Sequence, residues 1–309
     1  MKTKAQAMLF AAFAADAMAL AVHWIYDATK LTKDHGRVTE FLKPAEGSYH
    51  FGKDRGEFTH YGDQMLVLLE SVAASGGFRL DDFAYRWRQL FTDYRGYVDG
   101  ATRATLGNFA RGEAPEDGGS SSNDLAGAAR IAPLALCYRD DLDTLVRAAR
   151  MQTQMTHNHP EVVEAADFFA RVLWHVLQGQ SPVTAIQDVS ANVATGISLA
   201  EWVEEGLQLM TVDSITAIGG LGQSCSAPQA FPAVIQLIAR HQDNLAEALI
   251  ENVMAGGDSA GRGILVGAVL GAHLGWTAIP TEWIDGLKSH ETISKLAAAV
   301  EVKKDAGMR

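Results

Sequence analysis

The stretch Ala5-Gln6-Ala7-Met8-Leu9-Phe10-Ala11-Ala12-Phe13-Ala14-Ala15-Asp16-Ala17-Met18-Ala19-Leu20-Ala21-Val22 decides the fold class. Its residues are mostly helix formers, and apolar side chains fall on every side, leaving almost no polar face. A helix of that kind is surrounded by others. Lys2 and Lys4 ahead of the apolar run give it the outline of a secretion signal, but Asp16 interrupts what would be an uncharged core. The run is also short for a bilayer span with an acid in its middle. It reads as the central helix of a bundle.

A partner for that helix is legible near the other end of the chain. From Gly256 to Gly275 the sequence places Gly263, Gly267, Gly271 and Gly275 at every fourth position, nearly one helix face. Each glycine costs about 1 kcal/mol of helix stability relative to alanine, so close approach by a neighbouring helix must offset it. Helical periodicity also marks residues 64–74, 82–95, 141–155, 160–178, 182–192, 198–209, 229–240 and 243–255. An alanine-rich helix carrying Arg130 follows the loop 112–124 and is ended or kinked by Pro133. Sustained β alternation is absent, as are repeats and an interdomain linker, so residues 1–309 read as a single all-α domain. The glycine-rich segment 33–62, with Tyr49, His50, Phe51 and Phe58 interleaved, is the long loop, and loops of that length are more often functional than idle.

The net charge of -11, from 26 Lys+Arg against 37 Asp+Glu, opposes nonspecific attraction to nucleic acid or an anionic membrane. The expected partner is therefore a small molecule or modified substrate, with no nucleic acid and no membrane. Cys137 and Cys225 alone make no disulfide framework or paired-cysteine zinc motif, which fits a reducing cytoplasm.

Four polar constellations stand out. Asp16 lies on an otherwise apolar helix, where an unpaired carboxylate is costly and must meet a partner, a cation or a cleft. His60-Tyr61-Gly62-Asp63-Gln64 runs directly into an apolar helix, as an N-cap or as the polar floor of a cleft. Gly256-Gly257-Asp258-Ser259-Ala260-Gly261-Arg262 opens the glycine-laddered helix, where backbone N–H groups and Arg262 could meet an anion and Asp258 could be a cap. Thr156-His157-Asn158-His159 puts two imidazoles at a helix start, a spacing that does not by itself make a metal site. A fifth feature, Gly219-Gly220-Leu221-Gly222-Gln223-Ser224-Cys225, surrounds a thiol with glycines and offers a nucleophile if a helix terminus or a histidine lowers its pKa.

Taken in order, these elements resemble the ADP-ribosylglycohydrolase family, which includes the dinitrogenase reductase-activating enzymes and the jellyfish J-crystallins. The resemblance rests on Ala15–Ala19, on Ser122-Asn123-Asp124 through Arg130-Ile131-Ala132-Pro133, on Thr156-His157 and on Gly256–Gly263. It implies an all-α fold and two magnesium ions held by a Thr-Asp-Asp triplet and an Asp-x-Asp-Thr element. Here the triplet reads His60-Tyr61-Gly62, with Asp63 at the threonine that follows, and the second acid and threonine of the last element have become Ala260 and Gly261. Magnesium requires hard oxygen ligands, so one ion at most, held by Asp63 and Asp258 with Asp16 as a further ligand, is what the sequence offers, and a metal-free cleft is the expectation.

The resemblance implies a hydrolase of an ADP-ribosyl or related glycosidic bond. Asp63 and Asp258 are the expected catalytic acids, with Cys225 as the alternative nucleophile. Asp16, His60, Tyr61, Gln64, Asn123, Arg130, His157, Ser259 and Arg262 are the expected substrate contacts. The rival reading, motivated by the lost metal acids, is a non-catalytic nucleotide-sugar-binding or crystallin-like protein.

Overall fold

The computed structural model describes residues 2–192 and 199–307. Helices account for the regular structure of the described residues, and only isolated β-bridges occur besides them. The first helix spans Lys4–Ala19 and is capped by Thr3; every residue from Ala7 onward is buried. It packs against Ser259–Leu274, whose residues Ser259–Ala272 are buried as well. A methyl group placed on Gly267 would lie 2.5 Å from the Ala11 carbonyl oxygen, one on Gly271 2.8 Å from that of Ala7, and one on Gly263 3.5 Å from Ala15 Cβ. As one helix ascends the other descends, so the two are antiparallel. The glycine ladder lets their backbones approach at a distance no side chain permits.

Around this pair lie the remaining helices, among them His60–Ser75, Leu80–Leu90, Leu142–Gln154, Pro160–Leu177, Ala227–Arg240 and Leu245–Met254. One cluster of buried apolar side chains runs from Ala5 to Val300. Of the helix expected at 198–209, Leu199–Gln208 is present and residue 198 lies outside the described residues. Pro133 falls in the first turn of Ala132–Cys137, where its missing N–H costs nothing, so it starts a helix after the short Ala126–Ala129 segment ends at Arg130. Helices at Ala28–His35, Gly100–Ala110, Ser214–Leu221, Thr281–Gly286 and His290–Gly307 have no counterpart in the expected set. The last of these does show a helical period, with Ile293, Leu296, Ala297 and Val300 on one face, and was passed over; the shorter ones carry few apolar positions. No described helix is long and apolar enough to cross a membrane.

The helix expected from residue 64 starts instead at His60. Thr59 caps it by accepting from the Tyr61 N–H at 3.1 Å. Asp16, from the central helix, accepts the Thr59 N–H at 2.8 Å and the Thr59 hydroxyl at 2.6 Å. Burial pushes the Asp16 carboxyl up to about 6, against the pull of these two bonds. A methyl group on Gly62 would collide with the Asp16 carboxylate, so glycine at 62 is what lets the two helices join at this point.

Gly267→Ala is expected to lower stability by about 1–3 kcal/mol, because the overpacking cost exceeds the gain in helix propensity. Gly219→Ala, on the exposed Ser214–Leu221 helix where an added methyl meets nothing, is expected to be neutral or to stabilise by up to about 1 kcal/mol. Urea denaturation of both variants checks the contrast; equal midpoints would remove the ladder as the packing determinant.

Candidate active site

The antiparallel pairing sets the C-terminal end of the first helix beside the N-terminal end of the second. The chain leaving Ala19 turns through His23 and Trp24, and Trp24 is the one non-glycine described residue with positive φ, at 67°. That conformation is uncommon for a bulky residue and is held from both sides. The Trp24 N–H donates to the Gly257 carbonyl at 2.9 Å, and the Gly257 N–H donates to Ile25 at 2.8 Å. Gly256 and Gly257 have φ of 72° and 66°, and a side chain at either would strike the Ile25 or Gln223 backbone. Asp258 then caps the helix by accepting the Gly261 N–H at 3.1 Å.

A second backbone pairing delivers the other acid. The Leu125 N–H donates to the Cys225 carbonyl and the Ala227 N–H to that of Asn123, both at 2.8 Å, so residues 123–125 and 225–227 lie side by side. Asp124 accepts the Ala126 N–H at 2.8 Å through one oxygen. Through the other it accepts the Tyr61 hydroxyl at 3.1 Å, and the same hydroxyl lies 3.2 Å from an Asp258 oxygen. The Trp24 indole donates to that Asp258 oxygen, also at 3.2 Å. Ligating atoms of Asp124, Asp258 and Cys225 all lie within 4.8 Å of one another. Burial pushes both carboxyls up, and the charges of Asp258 and Asp99 raise Asp124 further, whereas Arg262 pulls Asp258 back. The Cys225 thiol, hydrogen-bonded to Asp124, is pushed up by burial and by the two acids.

Asp124 lines a cleft of about 380 Å³ together with Trp24, Tyr26, Tyr49, Tyr97, Asp99, Ser122 and Cys225 among others, while Asp258 is buried beside it. Trp24, Tyr49 and Tyr97 meet edge to face, with ring centroids 4.9–5.3 Å apart. Asp99 caps the Gly100–Ala110 helix and accepts from His60 Nε2 at 3.1 Å. Burial raises Asp99, but the hydrogen bond and charge of His60 outweigh it and hold the carboxyl well below the usual range. Behind this wall His23, His50 and His60 stack at 5.5–6.5 Å. Burial pushes His23 well down and His50 down to about 3, so His23 and His50 are neutral at physiological pH. A larger surface depression of about 850 Å³, between Asp54–Arg55 and Asp285–Thr292, shares no residue with the cleft and lacks its convergent acids.

Of the expected contacts, Tyr61, Asp258 and Cys225 converge, and His60 adjoins them through Asp99. Asp63 does not. It accepts from Lys53 at 2.5 Å and from Tyr94 at 2.6 Å and lines a separate groove with Leu66, Glu70 and Tyr85. Because residues 60–64 are helical, Tyr61 and Asp63 project roughly 200° apart, so Asp63 leaves the side on which Tyr61 meets Asp258. Asp16 is committed to Thr59. Gln64 accepts from Trp87 and Arg130 inside the core. Arg130 is 1% exposed, with its guanidinium spent on Gln64, Gln152 and Thr156. Arg262 is likewise buried and ties down Asn252 and the Gly256 carbonyl. No lysine or arginine is among the described residues lining the cleft. The expected anion cradle at Gly256-Gly257 is also spent, because the N–H groups of residues 257–261 all donate within the protein. His157 is buried against Thr156, Ser259 is fully buried, and Asn123 contributes its carbonyl to the Ala227 pairing. The raised thiol removes the thiolate expected at Cys225.

The sequence reading passed over Asp99, Asp124 and the aromatic wall. Asp124 sits inside the quoted Ser122-Asn123-Asp124 element, and only the 123–125 pairing with 225–227 reveals which of the three enters the cleft. Asp99 was signalled by its place before a helix whose own periodicity is weak.

Comparison with known proteins agrees with this architecture. Residues 1–307 match the family described as ADP-ribosylglycohydrolase. Crystallin J1A of Tripedalia cystophora is 26% identical over 92% of this chain and 91% of its own. The ADP-ribosylarginine hydrolase Tri1 of Serratia proteamaculans is 25% identical over 81% of this chain and 69% of its own. A solved ADP-ribosylglycohydrolase-related protein complex superposes with a TM-score of 0.74 at 24% identity, covering 97% of both chains, which shows a common fold. With a match spanning nearly every residue and a helical scaffold to go with it, the chain belongs to the ADP-ribosylglycohydrolase family.

Proposed function

We propose that the cleft hydrolyses an ADP-ribosyl or related glycosidic bond with a proton-sharing pair of carboxyls, Asp124 and Asp258, in place of two magnesium ions. The observation that carries this reading is the single Tyr61 hydroxyl within hydrogen-bond reach of both acids, one of which, Asp124, lines an aromatic cleft. The donor set does not suit two magnesium ions. Magnesium asks for octahedral oxygen ligands, whereas here the third neighbour is sulfur.

Two acids this close cannot both ionise cheaply, so the pair holds one proton. Asp124, pushed further up, keeps it and lines the cleft. It gives that proton to the leaving atom as the glycosidic bond breaks and the sugar gains oxocarbenium character. Asp258, ionised, takes a proton from the water that attacks the anomeric carbon. The pair again holds one proton at the end of the turnover, and Tyr61 stays neutral throughout because burial pushes its hydroxyl well up. Trp24, Tyr49 and Tyr97 offer ring faces and edges to a sugar or base.

Release of ADP-ribose from ADP-ribosylated arginine or serine is expected to proceed equally with and without added magnesium. Asp124→Asn and Asp258→Asn should each lower kcat by about 10²–10⁴-fold. No release from either substrate in either buffer, with no thermal shift by ADP-ribose, would sink the enzyme reading in favour of a non-catalytic protein, the reading that the likeness to crystallin J1A supports.

Tyr61→Phe tests the pair by stability. Without the hydroxyl, the carboxyls retain their proton to higher pH in the folded state, while the unfolded acids titrate near the ordinary value of 3.8. A folded-state pKa raised above the unfolded one means stability is lost as pH rises. The variant should therefore be destabilised by about 1–3 kcal/mol near pH 8 and by less near pH 5, in urea titrations at each pH. A pH-independent loss would show that the hydroxyl does not bridge the pair.

A further inference from the structure

We infer that Asp124, Asp258 and Cys225 form a binding site for one thiophilic divalent cation, zinc in the first instance, and that this site discriminates against magnesium. Three potential ligands, two oxygens and one sulfur, lie within 4.8 Å of one another, and two of them, Asp124 and Cys225, line the open cleft. Zinc takes four ligands in tetrahedral array, with thiolate and carboxylate among its usual donors, and a cleft-facing site leaves the fourth position open. Magnesium has no use for sulfur.

A second feature, independent of these three side chains, points at the same place. His23 is fully buried, its Nε2 has no hydrogen-bond partner, and it lies 4.0 Å from an Asp258 oxygen. Its Nδ1 accepts the Ala260 N–H at 3.3 Å, so Nε2 carries the ring proton and faces the carboxylate. Ligating carboxylates are commonly oriented by such an outer donor. Trp24 and Tyr61 supply two more, at 3.2 Å each. The backbone enforces the cluster: the Cys225 carbonyl holds the Leu125 N–H beside Asp124, and the Asp258 N–H is held by Gln223, two residues before Cys225. On binding, the thiol loses its proton to solvent and the sulfur bonds the cation as thiolate, so affinity rises with pH.

The cation would occupy the same carboxyls to which the hydrolytic reading assigns proton transfer, so the metal-bound form is not the hydrolytic one, and the test reads metal binding alone. The test uses the full chain, stripped of metal by a chelator and titrated with cobalt(II) as a spectroscopic substitute for zinc. The expected result is one equivalent bound, with a near-ultraviolet thiolate-to-cobalt charge-transfer band and the strong visible bands of tetrahedral cobalt. Zinc should abolish the bands, and excess magnesium should leave them unchanged. Cys225→Ser, close to isosteric, should melt like the parent and lose the charge-transfer band, and Asp124→Asn should weaken cobalt binding by at least about tenfold. A parent protein without the band, a band that survives in Cys225→Ser, or bands removed by magnesium would each overturn the proposal.

Discussion

The glycine-mediated contact between Lys4–Ala19 and Ser259–Leu274 is the constraint on which the rest of the molecule depends. Two nearly all-apolar helices can run against each other at backbone distance only if one of them gives up its side chains along the shared face. The helical cost of three glycines is offset by burial of both helices over almost their full length. Because the pairing is antiparallel, it brings the turn after the first helix onto the loop before the second. His23, Trp24 and Asp258 come together for that reason, although well over two hundred positions separate them in the chain.

That contact also determines the electrostatics. Asp16 and Asp258 are both buried acids at the same end of the helix pair, yet their surroundings assign them different work. Asp16 spends both oxygens on Thr59 and fixes the start of the next helix. Asp258 shares the Tyr61 hydroxyl with a second acid, Asp124, which lines the cleft. A buried carboxylate is costly unless paired or hydrogen-bonded, and two of them together keep a proton or attract a cation. Hydrolysis by a proton-sharing pair and capture of a thiophilic ion are alternative ways of meeting that one demand.

Neutrality around the cluster is also maintained without lysine or arginine at the cleft. Arg262 acts from behind, holding the Gly256 carbonyl while its charge pulls on Asp258. Arg130 does the same kind of work for the core, joining Gln64, Gln152 and Thr156. Both arginines belong to the scaffold. The cleft lining is aromatic and acidic, with Trp24, Tyr26, Tyr49 and Tyr97 beside Asp99 and Asp124.

The all-α class, the central helix and the glycine ladder after Gly256 were determined by sequence alone, because periodicity and side-chain size act locally and survive in a linear reading, although that helix ends at Ala19 and not at Val22. Asp258 and the 123–124 element were legible for the same reason, as motifs of contiguous residues. The partnership of Asp124 with Asp258 was not. It depends on which face of the His60–Ser75 helix carries Tyr61 and on a backbone pairing between residues 123–125 and 225–227. Asp63, one helical step from where a loop would have put it, was turned to the opposite side by a helix that begins four residues early. A cap supplied by Thr59 and anchored from Asp16, forty-three positions away, lies outside what local propensity encodes; only the tertiary structure decided which acids share the cleft.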